Sequence, residues 1–263
     1  MDFLVMLGFI IAVNWLCLTL VWLISLKIKD VGIVDIYWGI GFVIMAWACL
    51  LFNLQGNTSA ISQSQWLINI MVTLWGLRLS FHLAARNLGK EEDYRYAAMR
   101  KKSAGDFRIQ SYFRVFMLQG FLQILIILPV LAIHLYSSAF GLSIFHYLGI
   151  ALWAIGFVYE TAADMQLVNF RSDPRNHNKV LNSGLWRFSR HPNYFGDALQ
   201  WFAFFIFSLP TGYYWGIISP LMMLFIFLRL TIRLLEIPQT NKRPDYEEYI
   251  KSTNIFFPGW KKN

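Results

Sequence analysis

The sequence predicts an all-α membrane protein, a bundle of about seven transmembrane helices with its N-terminus outside and its C-terminus in the cytosol. Three observations predict it. The composition is 57% hydrophobic and only 14% charged, where a soluble domain carries about a quarter charged residues. Apolar runs recur along the whole chain, and ~20 residues at ~1.5 Å rise span the ~30 Å hydrocarbon core of a bilayer. The basic residues sit in alternate loops, which sets orientation by the positive-inside rule. No stretch remains for a separate soluble domain, so residues 1–263 read as a single integral, multi-pass membrane domain. The expected location is a bacterial inner membrane, or the endoplasmic reticulum in a eukaryotic host.

The first span is Phe3–Leu26. It is not a secretory signal: Asp2 stands where a basic region belongs, the apolar run is too long, and no small-residue cleavage site follows. The remaining spans are Ile36–Leu54, Trp66–Ala85, Tyr112–Tyr136, Ile144–Leu167, Tyr194–Leu209 and Tyr213–Leu235. Lys27 and Lys29 follow the first span. The loop from Arg86 to Arg114 carries eight basic residues, Arg171 to Arg190 carries five, and the region from Arg229 onward carries seven. Between them, Asn53–Gln65, Ser137–Ser143 and the Pro210–Gly212 turn carry none. That alternation requires an odd number of crossings.

The net charge of +8 is divided among these loops instead of forming one patch, which argues against nucleic acid as a partner. Cys17 and Cys49 both lie in apolar runs and form neither a disulfide framework nor a metal site. His82, His134, His146, His177 and His191 show no metal-ligand spacing, so no metal is expected. The dinucleotide, P-loop, zinc-protease and nucleophile-elbow fingerprints are all missing.

A charge at the centre of a membrane helix costs roughly 2.5–3.5 kcal/mol on insertion scales. The charges inside these spans are Asp35, Arg78, Glu160, Asp164, Asp197, Arg229, Arg233 and Glu236. Glu160 and Asp164 are four apart and share a helix face. Arg229, Arg233 and Glu236 share another, and Asp197 with Gln200 makes a third polar pair. Any single one of them could be an ion pair that staples the bundle. For the whole set, a polar cavity open to the cytosol is the better account. That cavity meets the polar loop Phe170–Asn193, whose Arg forks and backbone N–H groups suit phosphate oxygens. Cytosolic loops are also basic for reasons of insertion alone.

The stretch Ser189–Gly196, SRHPNYFG, with Glu236, Lys242 and Asp245-Tyr246-x-x-Tyr249 downstream, resembles the steroid 5α-reductase family, in particular its bacterial 3-oxo-5α-steroid 4-dehydrogenase-like members. Asp35-Ile-Tyr-Trp-Gly39, the stretch RNLGKEEDYRY from Arg86 to Tyr96, and Asp164 with Asn169-Phe-Arg171 fit the same family. RHP-x-Y-x-G segments also occur in isoprenylcysteine carboxyl methyltransferases and sterol reductases, but the ordered set is more specific and covers most of the chain. The resemblance implies an NADPH-dependent oxidoreductase acting on CH–CH groups. Its hydride goes to the C=C bond of an α,β-unsaturated ketone such as a 3-oxo-4-ene steroid, a hydrophobic substrate met within membrane lipid. By motif, the implied cofactor contacts are Asn87, Asp93, Arg95, Asp164, Asn169, Arg171, Arg190, His191, Asn193, Tyr194, Asp197 and Glu236. Lys179, Lys242, Arg243, Tyr246 and Tyr249 are further candidates.

The family's vertebrate members pair a Glu early in the second helix with a Tyr in the third. Here the second span begins Asp35-Ile-Tyr37-Trp38, and the third offers Trp75, Arg78 and His82. Hydride transfer to an enone leaves negative charge on the carbonyl oxygen, and a preorganised donor aimed there stabilises it. Tyr37 is the leading donor, with Asp35 orienting it or acting as the acid, and His82 is the alternative. Tyr37 and Trp38 also fit an interfacial aromatic belt. Asn193 supplies both donor and acceptor, matching a carboxamide, while helix capping is its structural alternative. The competing enzyme reading is an S-adenosylmethionine-dependent membrane methyltransferase. A transporter is disfavoured because no internal repeat is visible.

Overall fold

A computed structural model describes residues 3–55, 61–136, 141–243 and 245–260, apart from the side chains of residues 55, 238, 239, 241 and 242. Its described residues form helices and turns, with no strand among them. Six helices are long and apolar enough to cross a membrane: Phe3–Ile28, Ile33–Leu54, Gln63–Asn87, Phe107–Ile126, Ile144–Ser172 and Tyr214–Ile237. The expected span Tyr194–Leu209 corresponds to a helix of 17 residues, Pro192–Ser208, shorter than the other six.

Packing divides the chain into two compact units, Met1–Ser143 with Ser208–Gly216 and Ile144–Phe207 with Ile217–Asn263. The first unit opens with α1 (Phe3–Ile28), whose buried residues are Met6, Ile10, Asn14, Leu18 and Ser25. Steps of four, then seven, place them on one stripe, and Leu4, Leu16, Leu20 and Leu23 are exposed. So many exposed large apolar side chains suit lipid. α2 (Ile33–Gln55) and α3 (Gln63–Asn87) form an antiparallel pair. α3 starts at a capping box, Ser62 with Gln65. The two helices touch at Gly39 and Gly76, where a Cβ on Gly76 would lie 2.6 Å from the Gly39 carbonyl oxygen. Beside that crossing Ser80 Oγ accepts from the Ile40 backbone N–H at 3.1 Å.

A short helix, α4 (Tyr94–Lys102), follows, capped by Asp93. The fourth expected span, Tyr112–Tyr136, begins earlier and is broken. It runs as α5 (Phe107–Ser111), a π-helical stretch Tyr112–Met117, α6 (Leu118–Ile126) and α7 (Leu128–Tyr136). The break at Ile127 precedes Pro129, which has no N–H to continue the ladder.

The second unit is built on α8 (Ile144–Ser172), α9 (Pro192–Ser208), α10 (Ile218–Phe225), a π-helical stretch Ile226–Thr231, α11 (Ile232–Lys242) and α12 (Asp245–Ser252). α9 begins with Pro192, whose fixed φ suits a first helical position. α8 and α9 cross at Gly156 and Gly196. A Cβ on Gly196 would meet the Glu160 backbone N at 2.6 Å, and one on Gly156 the Gly196 carbonyl oxygen at 2.7 Å. Only glycine allows backbones this close, and the crossing brings the polar residues of both helices into register.

Candidate active site

In the second unit, α8 carries Glu160 and Asp164 one turn apart, and α9 carries Asn193, Asp197 and Gln200. The glycine crossing pairs them. Asn193 Nδ2 donates to Asp164 Oδ1 at 3.0 Å, and Gln200 Nε2 donates to Glu160 Oε2 at 2.8 Å. A carboxylate only accepts, so it turns each amide nitrogen toward itself and leaves the amide oxygen pointing away. Both oxygens, Asn193 Oδ1 and Gln200 Oε1, are buried and have no hydrogen-bond partner among the described residues. Leaving a buried acceptor unpaired costs about 1–3 kcal/mol. Natural proteins keep few such groups, and each needs an explanation in strain, an ordered water or a bound group.

The loop ahead of α9 supplies Arg190 and His191, both buried. His191 Nε2 and Arg190 Nε approach one atom, Glu236 Oε1, at 2.9 and 3.3 Å. The arginine distance is that of an ion pair without the alignment of a hydrogen bond, and Arg190 Nη1 has no partner among the described residues. A buried guanidinium nitrogen with unused N–H donors has the chemistry to hold an anion. Burial pushes the His191 imidazole below its usual range, a shift the Glu236 carboxylate only partly offsets. Tyr194 stacks between His191 and Phe227, ring centroids 5.6 and 4.7 Å apart. Tyr246 is buried and hydrogen-bonds Glu236; burial first, then that carboxylate, pushes its phenol up.

The structure therefore gathers Asp164, Arg190, His191, Asn193, Tyr194, Glu236 and Tyr246 within one unit, with Asp197 buried on α9. Asn169, Arg171 and Lys179 are exposed residues at and beyond the end of α8. The Lys242 side chain lies outside the described residues. An open cleft of about 430 Å³ lies nearby, lined by Phe170, Lys179, Asn182, Asp245, Glu248 and Tyr249 among others. Its mixed charges do not make it an anion site.

The first unit holds the other expected site residues in a different arrangement. Asp35 Oδ2 accepts from Arg95 Nη2 at 2.7 Å and Oδ1 from the Tyr96 hydroxyl at 2.7 Å. Asp93 takes the remaining edge of Arg95, Nε to Oδ1 at 2.9 Å. Burial alone would raise the Asp93 carboxyl, but the bonds and charge of Arg95 outweigh it and hold it below the usual carboxylate range. Glu92, bonded by Arg100 and by the Val31 N–H, is lowered in the same way. Tyr37, expected to be oriented by Asp35, instead donates its hydroxyl to Asn14 Oδ1 at 3.2 Å. Asn87 Oδ1 accepts from Arg86 Nε at 3.0 Å, and His82 is half-buried on α3.

Sequence reasoning passed over Asn14, Tyr96 and the Glu92–Arg100 pair. Asn14 has a sequence signal, an amide in the middle of an apolar helix. Tyr96 lies in the RNLGKEEDYRY stretch, where an aromatic residue amid so many charges is a natural buried anchor. Among the described residues no group of three or more His, Cys, Asp or Glu side chains is placed to hold a metal.

A family model described as a protein of unknown function, DUF1295, matches residues 21–253. An uncharacterized protein of Schizosaccharomyces pombe is 26% identical over 90% of this chain and 75% of its own length. Two proteins named 3-oxo-5-alpha-steroid 4-dehydrogenase 1, from Rattus norvegicus and Mus musculus, are 29% and 28% identical over 42% of this chain. Those matches cover 40% of each steroid enzyme, well under two thirds of its length. No solved structure matches significantly. Over 42% of its length the chain is thus similar to two proteins named as steroid dehydrogenases, which does not favour the methyltransferase alternative.

Proposed function

We propose that this chain, which belongs to the DUF1295 family, is an NADPH-dependent membrane reductase acting on the C=C bond of a hydrophobic α,β-unsaturated ketone. One observation carries the reading. Arg190 Nη1 and Asn193 Oδ1, three residues apart in sequence, are both buried without a partner among the described residues. A bare guanidinium edge calls for an anion, and a bare amide oxygen calls for a donor. A pyridine dinucleotide offers both, phosphate oxygens and a carboxamide NH₂, and it is the cofactor the family resemblance implies.

In this reading Arg190 holds a phosphate oxygen, with Arg171 and Lys179 as exposed basic partners. Asn193 accepts from the carboxamide while Asp164 fixes which way its amide faces. His191, neutral near pH 7 because burial holds its basicity down, braces Glu236. Bound NADPH supplies the hydride. Tyr37 is the proposed donor to the substrate oxygen. Its buried hydroxyl has Asn14 as acceptor, and turning the O–H bond redirects it. Removing such a donor typically costs ~10²–10³ in rate. By the distribution of Lys and Arg, the Arg86–Arg114 and Phe170–Asn193 loops face the cytosol.

The test is Asn193→Ser. Asn193 is the second residue of α9, inside the helix and not at its cap, so a merely structural role predicts near-wild-type turnover. A carboxamide contact predicts a folded protein whose kcat falls ~10²-fold, the usual effect of misplacing reacting atoms by about 1 Å. The assay pairs NADPH with a 3-oxo-4-ene steroid. A purified chain that binds S-adenosylmethionine and ignores NADPH would overturn the function.

A further inference from the structure

The loop that carries Arg190 and His191 makes few backbone bonds of its own. Phe188 and Ser189 donate their N–H groups to Leu185 O in a short turn. Nearly everything else between Trp186 and Arg190 is handed to the C-terminal segment. The Tyr249 hydroxyl meets Trp186 O at 2.5 Å and Ser189 O at 3.3 Å. Arg190 N donates to Asn254 O at 2.8 Å, Ser189 Oγ to Phe256 O at 2.7 Å, and Gly259 N to Phe188 O at 3.0 Å. Phe256 is buried, and its ring meets Phe195 on α9 at 6.0 Å. Trp186 Nε1 ties the loop to α8 through Ala163 O at 3.0 Å.

From this geometry we propose that Tyr249 is a positioning residue. Its hydroxyl gathers two carbonyls of the loop and so sets the direction of the Arg190 guanidinium for its anion. A phenol has one proton to donate, and two buried carbonyl oxygens compete for it. Without the hydroxyl, both oxygens lose a partner in a place where water has little access. The relaxation falls on the residues between them and on Arg190 immediately after. Arg190 has few other restraints: its backbone N–H bond to Asn254 and the ion pair with Glu236. The inference rests on the anion-site reading of Arg190, and it predicts a specific division of labour. Asn193 and Asp164 bind and orient, whereas Tyr249 acts only through the loop.

The test uses the full chain in detergent with two independent readouts. Hydrogen exchange reports the Arg190 amide, and equilibrium titration reports NADPH affinity. Tyr249→Phe keeps the ring and removes only the hydroxyl. The expected result is faster exchange at Ser189 and Arg190, unchanged exchange in α8, and roughly ten-fold weaker NADPH binding, the scale of one lost hydrogen bond between buried groups. Ser189→Ala, which removes the bond to Phe256 O and the one accepted from the His191 N–H, is expected to act in the same direction. Unchanged Arg190 exchange in Tyr249→Phe overturns the positioning role whatever the ligand is. Equal NADPH affinity in wild type and Tyr249→Phe overturns it as well. A uniform loss of stability with unchanged affinity per folded molecule would make Tyr249 an ordinary structural residue. A wild-type chain that does not bind NADPH would sink the proposed cofactor, while the exchange readout would still decide the role of Tyr249.

Discussion

The two units hold polar clusters of similar composition but opposite completeness. In the first unit Asp35 gives its two oxygens to Arg95 and Tyr96, and Asp93 gives both of its own to Arg95. In the second, Arg190, Asn193 and Gln200 each keep a buried polar atom without a partner among the described residues. Both clusters contain arginine and acid, and counting charges does not separate them. Counting partners does. A satisfied network rigidifies what it joins, whereas an unsatisfied one is costly unless something completes it. The contrast sets a completed cluster at Asp35 and Arg95 against an open one at Arg190 and Asn193, which the proposed function reads as the binding site.

The sharpest way to break that contrast is a matched pair of arginine substitutions. Lysine keeps the charge and loses the planar fork. Arg190→Lys is expected to weaken NADPH binding about 10- to 150-fold, the equivalent of a charge-assisted hydrogen bond worth ~1.5–3 kcal/mol. Arg95→Lys is expected to leave affinity within about two-fold and to lower stability by ~1 kcal/mol, because the pair is part-exposed and screened. Fluorescence titration and thermal unfolding of both variants check this. A larger affinity loss for Arg95→Lys than for Arg190→Lys would reverse the assignment.

Much of this was readable from residue order, and the remainder depends on long-range pairing. The helical period fixes Glu160 with Asp164 on one face, so that part of the site follows from residue order alone. That Asp164 meets Asn193 depends on the glycine crossing of α8 and α9, which brings together residues 29 apart. Asp35 and Arg95 are 60 apart, and no periodicity links them. Asp35 in an apolar run therefore reads as a functional acid until its partner is seen. The fourth span illustrates a local limit. Hydropathy finds the apolar stretch but not the π-helical turn Tyr112–Met117, and it does not weigh Pro129, the residue that signals the break.

Each unit also has a glycine crossing, which gives a second matched pair. Gly196→Ala places a methyl against the Glu160 backbone, and Gly76→Ala places one against the Gly39 carbonyl oxygen. Backbone cannot step aside cheaply, so each change is expected to cost ~1–3 kcal/mol of stability. Only Gly196→Ala should also weaken NADPH binding, since α8 and α9 carry Asp164 and Asn193. Equal affinity losses in the two variants would mean that the site feels general loosening and not this crossing.

The smallest expected effect separates the clusters by pH. His191 is held below its usual range by burial, against the opposing pull of Glu236. Besides Glu236, the groups facing it are Arg190, whose charge also lowers it, and the Tyr194 ring. An unfolded histidine takes up its proton near pH ~6.5, while the buried one resists. Below that pH the unfolded chain binds more protons, so stability in the second unit falls as acid is added, by at most ~1.4 kcal/mol per pH unit. The Glu92 and Asp93 carboxyls are lowered, burial being outweighed by bonds from Arg100 and Arg95. Their stabilisation is complete above the unfolded values near pH ~4 and is lost only below them. Between pH ~6.5 and ~4.5, acidification should therefore raise hydrogen exchange around His191 and leave α4 untouched. The α4 amides should follow below pH ~4. His191→Gln should abolish the first step and keep the second. If both regions open in the same pH window, the two clusters do not differ in the way their hydrogen bonds imply.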